Sequence, residues 1–444
     1  MDLLRERSRR DGPRRALVDA GAGFWISWFD LDGLATAWAR RLQRLGVQPC
    51  DRVAVREPAG ARFAALLFAC LRQGYAFVPL PMRAPPSVIE RLLADCGPRV
   101  LVADGEPALR EGAAGGAEGD ACIVYTSGTT GPPKGVRLTA ANLLASAEGC
   151  QESLASTPDD RWLLCLAPHH VGGLAILVRS AVSNQPVTVL ERFDAERVLE
   201  ALARERCTLL SLVPTMLVRL LDAGGLEPLL RARAILLGGA PAPAENVRAW
   251  ARLGLQVCPT YGLSETGSQV ATVPPGAAEE LAGTAGFAHS RATVEVVDGE
   301  IVVGGPVLSP GYVNAAVRPA PEGGQFRSGD GGRIRAGGAL EVTGRLDDAI
   351  ITGGENVQPL EVEEVLRAHP AVRDAAVVGV PDPTWGQVLE ARVVGEGAGG
   401  EELAAFARER LAGFKVPRRF VFVDRLPRSE GGKLLRTELT EPDS

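Results

Sequence analysis

Residues 123–135 read Ile-Val-Tyr-Thr-Ser-Gly-Thr-Thr-Gly-Pro-Pro-Lys-Gly, and the chemistry they offer is that of a phosphate cradle. Ile123, Val124 and Tyr125 form an apolar lead-in that predicts the end of a buried strand. Gly128 and Gly131 can take positive φ and so turn backbone N–H groups toward one concave point. Thr126, Ser127, Thr129 and Thr130 add hydroxyl donors, and Lys134 adds a mobile cation. This is not the Walker loop, because Pro133 replaces its second Gly and Lys134 is followed by Gly135 rather than Ser or Thr. Pro132 and Pro133 stiffen the exit, so turn chemistry rather than a helix N-terminus is expected to hold the loop.

Other stretches offer what such a cradle needs. Residues 259–267, Pro-Thr-Tyr-Gly-Leu-Ser-Glu-Thr-Gly, set the carboxylate of Glu265 among hydroxyls and glycines. Mg²⁺ takes one or two carboxylates and completes its shell with phosphate and water, which suits Glu265; a turn capped by Ser264 or Glu265 is the plainer reading. Tyr261 offers a flat face to a base. Gly238, Gly239, Ala240 and Pro241 end an apolar run in small residues, leaving room for a flat ring or serving only close packing. Residues 327–330, Arg-Ser-Gly-Asp, predict a tight turn in which Asp330 could accept the two hydroxyls of a ribose, although Ser-Gly-Asp is also an ordinary turn. Residues 426–436 carry Lys433 on a Gly-hinged loop able to swing onto an anionic transition state and leave again. Lysine occurs only at positions 134, 415 and 433, against 45 arginines. A compact ammonium on a flexible stem differs chemically from a planar fork, which ranks Lys134 and Lys433 first for mutation.

The elements that must position these groups follow from periodicity. From residue 31 to about 262 helical and strand patterns alternate, with strands at 52–56, 162–166, 187–190, 208–213 and 234–237. Between them lie helices at 63–73 closed by Gly74, at 194–206 with Asp194 as N-cap, and one opened by Pro214. Alternation argues for parallel sheets with ligands at the strand C-terminal ends. From about 283 the texture becomes antiparallel, with Asp298-Gly299 and Gly337-Gly338 as hairpin turns. Beyond 345 an α+β pattern of about 98 residues predicts a separate domain, with the boundary at 345–347. Residues 111–119 read as a flexible Gly/Ala loop.

Composition narrows the class. A chain of 444 residues, 46% apolar and 23% charged, fits two or three globular domains. A net charge of −6 with no basic patch argues against a nucleic-acid partner. The N-terminus carries charge where a signal peptide needs an apolar run, and the longest apolar block, residues 64–71, is too short for a bilayer. The expectation is a cytoplasmic protein without membrane insertion; a homo-oligomer stays open. Eight widely spaced cysteines without Cys-x-x-Cys read as reduced core residues, and the four histidines make no metal spacing.

Together these stretches resemble the adenylate-forming superfamily of acyl-CoA synthetases, non-ribosomal adenylation domains and luciferases, in order and across essentially the whole chain. The resemblance implies a large N-terminal domain of two αβ subdomains plus a small β-barrel (residues 1–346, β-rich from about 283). It also implies a mobile α+β C-terminal domain (347–444) hinged at Asp347. It places ATP phosphates at Thr126, Ser127, Gly128, Thr129, Thr130, Gly131 and Lys134, and adenine against Gly238, Gly239, Ala240, Pro241 and Tyr261. Asp330 and Arg345 would hold the ribose, Glu265 Mg²⁺ and Thr266 the α-phosphate. Lys433 would stabilise adenylate formation, and CoA would reach the acyl group through a tunnel near Gly353 and Gly354. His170 and Gly262 fall beside the acyl substrate. The resemblance places residues 167–174 where amino-acid-activating members carry an Asp for the substrate ammonium; none stands there, which counts against an amino-acid substrate. Residues 171–180, 211–217, 264–270 and 353–357 are most similar to ligases that join 2-succinylbenzoate to CoA in menaquinone biosynthesis; another aryl- or acyl-CoA ligase, or an enzyme loading a carrier protein, is the alternative. A dicarboxylate needs a cation for its second carboxylate, and Arg179 is the candidate, a surface or sheet-edge Arg being the plainer reading.

Overall fold

The structure is a computed structural model that describes residues 2–113, 115–126, 134–314, 323–353, 355–429, 432 and 434–439. Ser127, Gly128, Thr129, Thr130, Gly131, Gly354 and Lys433 lie outside the described residues.

Two sheets enclose a shared helical layer. The first orders seven strands as Gly311–Tyr312, Gly135–Thr139, Asp120–Tyr125, Ala76–Pro79, Arg52–Arg56, Val100–Ala103 and Glu106–Leu109. The second has nine strands, and Val257–Leu263, Ala234–Leu237, Leu209–Leu212, Trp162–Leu164, Val187–Val189 and Arg15–Asp19 form its parallel centre. Parallel strands dominate both interiors as the alternation predicts, but the edges are antiparallel, among them the pair Asp120–Tyr125 and Gly135–Thr139. The helix Ala61–Gln73 buries every residue from 63 to 71, because it lies between the sheets rather than on a surface, and Gly74 ends it at φ +70°. One core accordingly joins Val53, Phe77 and Val124 of the first sheet to Leu164, Val187 and Leu236 of the second. The apolar block that is too short for a bilayer is core, and no described helix is long and apolar enough to cross a membrane.

The β-rich part is a four-stranded antiparallel sheet of Thr293–Val297, Glu300–Gly304, Gln325–Ile334 and Leu340–Arg345. Its first turn has Asp298 at φ +52° and Gly299 at φ +79°, the two left-handed residues a tight hairpin asks for. The expected turn at 327–330 is instead part of the ten-residue strand Gln325–Ile334. Its glycines serve a register shift between Gly331 and Gly332 and close packing, since a Cβ on Gly332 would fall 2.5 Å from Ile301. Beyond residue 349 the strands Ile350–Thr352, Glu355–Val357, Val372–Asp382, Gly386–Gly395 and Arg419–Phe422 pack with the helices Pro359–Arg367 and Gly400–Arg408 around their own apolar cluster. Seven of the eight cysteines are buried and all are free, Cys50 being half-buried.

Candidate active site

The strands on either side of the cradle sequence, Asp120–Tyr125 and Gly135–Thr139, pair antiparallel. Tyr125 lies opposite Gly135, and the Thr126 N–H donates to the Lys134 carbonyl at 3.2 Å, so the loop ends are closed by strand pairing and not by a helix. Tyr125 is fixed from behind by donating to Asp95 Oδ2 at 2.6 Å.

Glu265 stands on the 3-10 turn Ser264–Thr266 between Val257–Leu263 and Ser268–Thr272. Thr266 is fully buried; its Oγ1 accepts from the Leu263 N–H at 3.1 Å and lies 2.7 Å from Ser268 O, so in this structure its hydroxyl shapes the turn that presents Glu265. Glu265 itself is 8% exposed, and Tyr312 donates to its Oε1 at 2.6 Å. Among the described residues no three His, Cys, Asp or Glu side chains converge as a metal cage. A carboxylate that one described donor reaches, on a turn packed beside the strand Gly135–Thr139, fits Mg²⁺, which leaves most of its shell to phosphate and water.

Asp330 lies across the strand pair from Arg345. Tyr261 donates to its Oδ2 at 2.7 Å and Arg345 Nη1 to its Oδ1 at 3.1 Å, while Arg345 Nη2 reaches Asp347 at 3.0 Å. Burial and the adjacent Asp330 push the Tyr261 phenol well above its usual range, so it stays a donor. Burial alone would lower Arg345, but Asp330 and Asp347 outweigh it and its pKa rises. Gly238 packs against Thr260, where a Cβ would lie 2.8 Å from Oγ1, and Gly239 sits at φ +76° within reach of Val213. Ala240 and Pro241 follow in the same loop. Gly262 has a structural reason of its own: at the bulge beside Tyr261 a Cβ would come 2.2 Å from Ser268 O.

Lys433 is bracketed by described neighbours. A Cβ on Gly432 would lie 3.2 Å from Val213 and Thr215, and Arg428 Nη1 donates to Gly432 O at 2.9 Å. A Cβ added at either Gly239 or Gly432 would therefore meet the Val213 side chain.

The chain matches the AMP-binding enzyme family over residues 4–118 and 112–313, and the AMP-binding enzyme C-terminal domain over 361–433. It belongs to the AMP-binding enzymes. It is 41% identical over 333 residues to the 2-succinylbenzoate–CoA ligase of Bacillus cereus, covering 72% of this chain and 69% of that one. The ligase of the same name from Geobacillus kaustophilus is 38% identical over 449 residues, 91% of this chain and 90% of that protein. Among solved structures, the o-succinylbenzoate CoA synthetase of Bacillus subtilis in complex with the acyl-adenylate intermediate OSB-AMP has 32% identity and TM-score 0.88, covering 100% of this chain and 98% of that one. The same synthetase in complex with ATP and magnesium ion matches with TM-score 0.88 over 99% of both chains.

In this AMP-binding enzyme His170 is the N-cap of the helix Val171–Ser183, and its ring lies 4.2 Å from that of His169. Burial, with the neighbouring His170, pushes His169 down to about 3, so it is neutral at physiological pH. Arg179 lies about 12 Å along the same helix. It is 2% exposed, which excludes the surface or sheet-edge reading. Its Nη2 donates to Ser268 Oγ at 2.7 Å and to Gln269 Oε1, its guanidinium stands 5.5 Å over Trp162, and its Nε is buried without a partner. Burial lowers its pKa, and no carboxylate among the described residues pairs with it. The sequence reasoning missed Tyr312. Its signal was scarcity: of four tyrosines, three donate to carboxylates, and 312 is one of them.

Proposed function

We propose that this AMP-binding enzyme activates 2-succinylbenzoate with ATP and transfers it to CoA. Whole-length likeness to a synthetase solved with its acyl-adenylate supports this, and the observation that carries the choice of acid is Arg179, a buried cation whose described partners are all neutral. In the first half-reaction a carboxylate oxygen of the acid bonds to the α-phosphorus of ATP and the bond to pyrophosphate breaks. In the second the CoA sulfur attacks the acyl carbonyl, loses its proton, and AMP leaves with the electron pair. No enzyme nucleophile is needed, so the protein contributes position and charge.

Residues 126–131 and Lys134 hold the phosphates, Tyr261 and residues 238–241 border the adenine, and Asp330 accepts from the ribose hydroxyls while Arg345 donates to the ribose. Glu265 takes Mg²⁺, which when bound neutralises phosphate charge. Thr266 lies at the α-phosphate and Lys433 stabilises the charge that develops there. His170 and Gly262 border the acyl group, and Arg179 meets the carboxylate that is not activated. Residues 1–346 form the N-terminal domain and 347–444 the mobile one, turning at Asp347 so that Lys433 withdraws and CoA enters near Gly353. Pyrophosphate release measured over a panel of acids tests the reading: 2-succinylbenzoate should exceed benzoate and fatty acids by orders of magnitude in kcat/KM, and equal rates would refute it.

A further inference from the structure

The segment from Ser309 to Val313 ties Glu265 to the cradle hairpin. The Ser309 N–H donates to the Glu265 carbonyl at 2.8 Å, and Gly311 and Tyr312 pair with Arg137 and Val136. The Val313 N–H donates to Gly135 O at 2.8 Å, one residue beyond Lys134. Tyr312, 5% exposed, then reaches from this strap to one carboxylate oxygen of Glu265, and no donor among the described residues reaches the other.

We propose that Tyr312 is a positioning residue that makes Glu265 a one-oxygen metal ligand and thereby favours Mg²⁺ over Ca²⁺. This rests on the reading that Glu265 holds the metal. Mg²⁺ demands near-octahedral geometry and accepts one oxygen from a carboxylate beside phosphates and water. Ca²⁺ is larger, takes six to eight oxygens and readily uses both oxygens of a carboxylate. With Oε1 occupied by the phenol, a two-oxygen grip requires breaking a short hydrogen bond to a charged acceptor. The backbone bond from Ser309 to the Glu265 carbonyl fixes the main chain of the turn relative to the strand that carries Tyr312. The phenol also differs from an arginine or lysine in this place, because it restrains Glu265 without supplying a positive charge that would repel the ion.

The test is calorimetric titration of the full-length chain with α,β-methylene-ATP in the presence of Mg²⁺, of Ca²⁺, or of a chelator. Tyr312→Phe should shift the Mg²⁺-to-Ca²⁺ affinity ratio about tenfold toward Ca²⁺, the equivalent of one hydrogen bond to a charged group. Affinity with the chelator should stay unchanged, and Tyr312→His, which keeps a ring donor, should move the ratio back toward the parent value. An unchanged ratio in folded Tyr312→Phe overturns the proposal; should that variant fail to fold, Tyr312→Leu is judged by the same ratio. Glu265→Gln separates the two levels. If it leaves metal-dependent binding intact, the reading of Glu265 falls and this proposal with it. If it abolishes that binding while Tyr312→Phe leaves the ratio alone, only the role of Tyr312 falls.

Discussion

Replacing Arg179 with methionine keeps most of its volume and removes its charge, and the structure sets the size of the effect. Nη2 already holds Ser268 and Gln269, and Nε is enclosed without a partner, so Nη1 is the nitrogen left for a ligand. On the proposed role of Arg179, the substrate would gain one charge-assisted hydrogen bond rather than a two-pronged grip. Such a bond contributes about 1.5–3 kcal/mol, so KM for 2-succinylbenzoate should rise about 10- to 150-fold with KM for ATP unchanged. Stability should change little. The variant loses a buried charge that no carboxylate among the described residues compensates, and Gln269 Oε1 keeps a donor because Ser268 Oγ lies 2.9 Å from it. Initial rates of pyrophosphate release with either substrate varied give both constants, and thermal unfolding gives the second half of the claim. A parallel rise in both KM values, or the same loss toward benzoate as toward the dicarboxylate, would show that Arg179 supports the strand Ser268–Thr272 and does not bind the acid.

Asp330→Ala should raise KM for ATP at least tenfold and leave that for the acid alone, because it removes the acceptor that Tyr261 and Arg345 converge on; unchanged ATP binding would refute the ribose assignment. Lys433→Ala should slow adenylation by orders of magnitude yet spare thiol transfer from supplied acyl-adenylate, and equal damage to both half-reactions counts against its proposed role. Gly262→Ala should lower the unfolding midpoint sharply even without ligands, since its Cβ would meet backbone atoms at 2.2 Å and 2.4 Å that cannot swing aside. Stability should also fall with pH from about 6.5 toward 5. His289 is buried with its pKa lowered and His169 is pushed down to about 3, so the unfolded chain binds protons that the folded one refuses. The slope is up to about 1.4 kcal/mol per pH unit for each histidine, less for the half-buried His169. Denaturant midpoints read it, and His289→Gln should flatten the curve; an unchanged slope would refute the assignment.

What could be read in the sequence, and what could not, divides by range. The strand that leads into the cradle, the Asp194 cap accepting from Arg197, the helix opened by Pro214 and the Asp298-Gly299 turn are all local, and each appears where residue chemistry puts it. The strand through 327–330 escaped because Ser, Gly and Asp carry turn preferences that pairing with Glu300–Gly304 overrides. The contacts that complete the site join residues 47, 69 and 89 positions apart, for which no local pattern exists. Yet residue types retain a trace of them, because the charge of each group's protein partner constrains what else it can bind. Asp330 is neutralised by Arg345, so what remains to it is hydrogen bonding, and it suits uncharged hydroxyls. Glu265 is held by a phenol that brings no positive charge, so its described partner leaves room for a cation. Arg179 is held by a hydroxyl and an amide and keeps its positive charge in the core, an arrangement that costs stability unless an anion arrives. One hydroxyl pair, one cation and one anion are what an ATP-Mg²⁺ complex and a dicarboxylic acid bring together. The pairing of charges thus supports the proposed function independently of any motif, and exchanging Tyr312 for a cationic side chain is the change that this logic forbids most strongly.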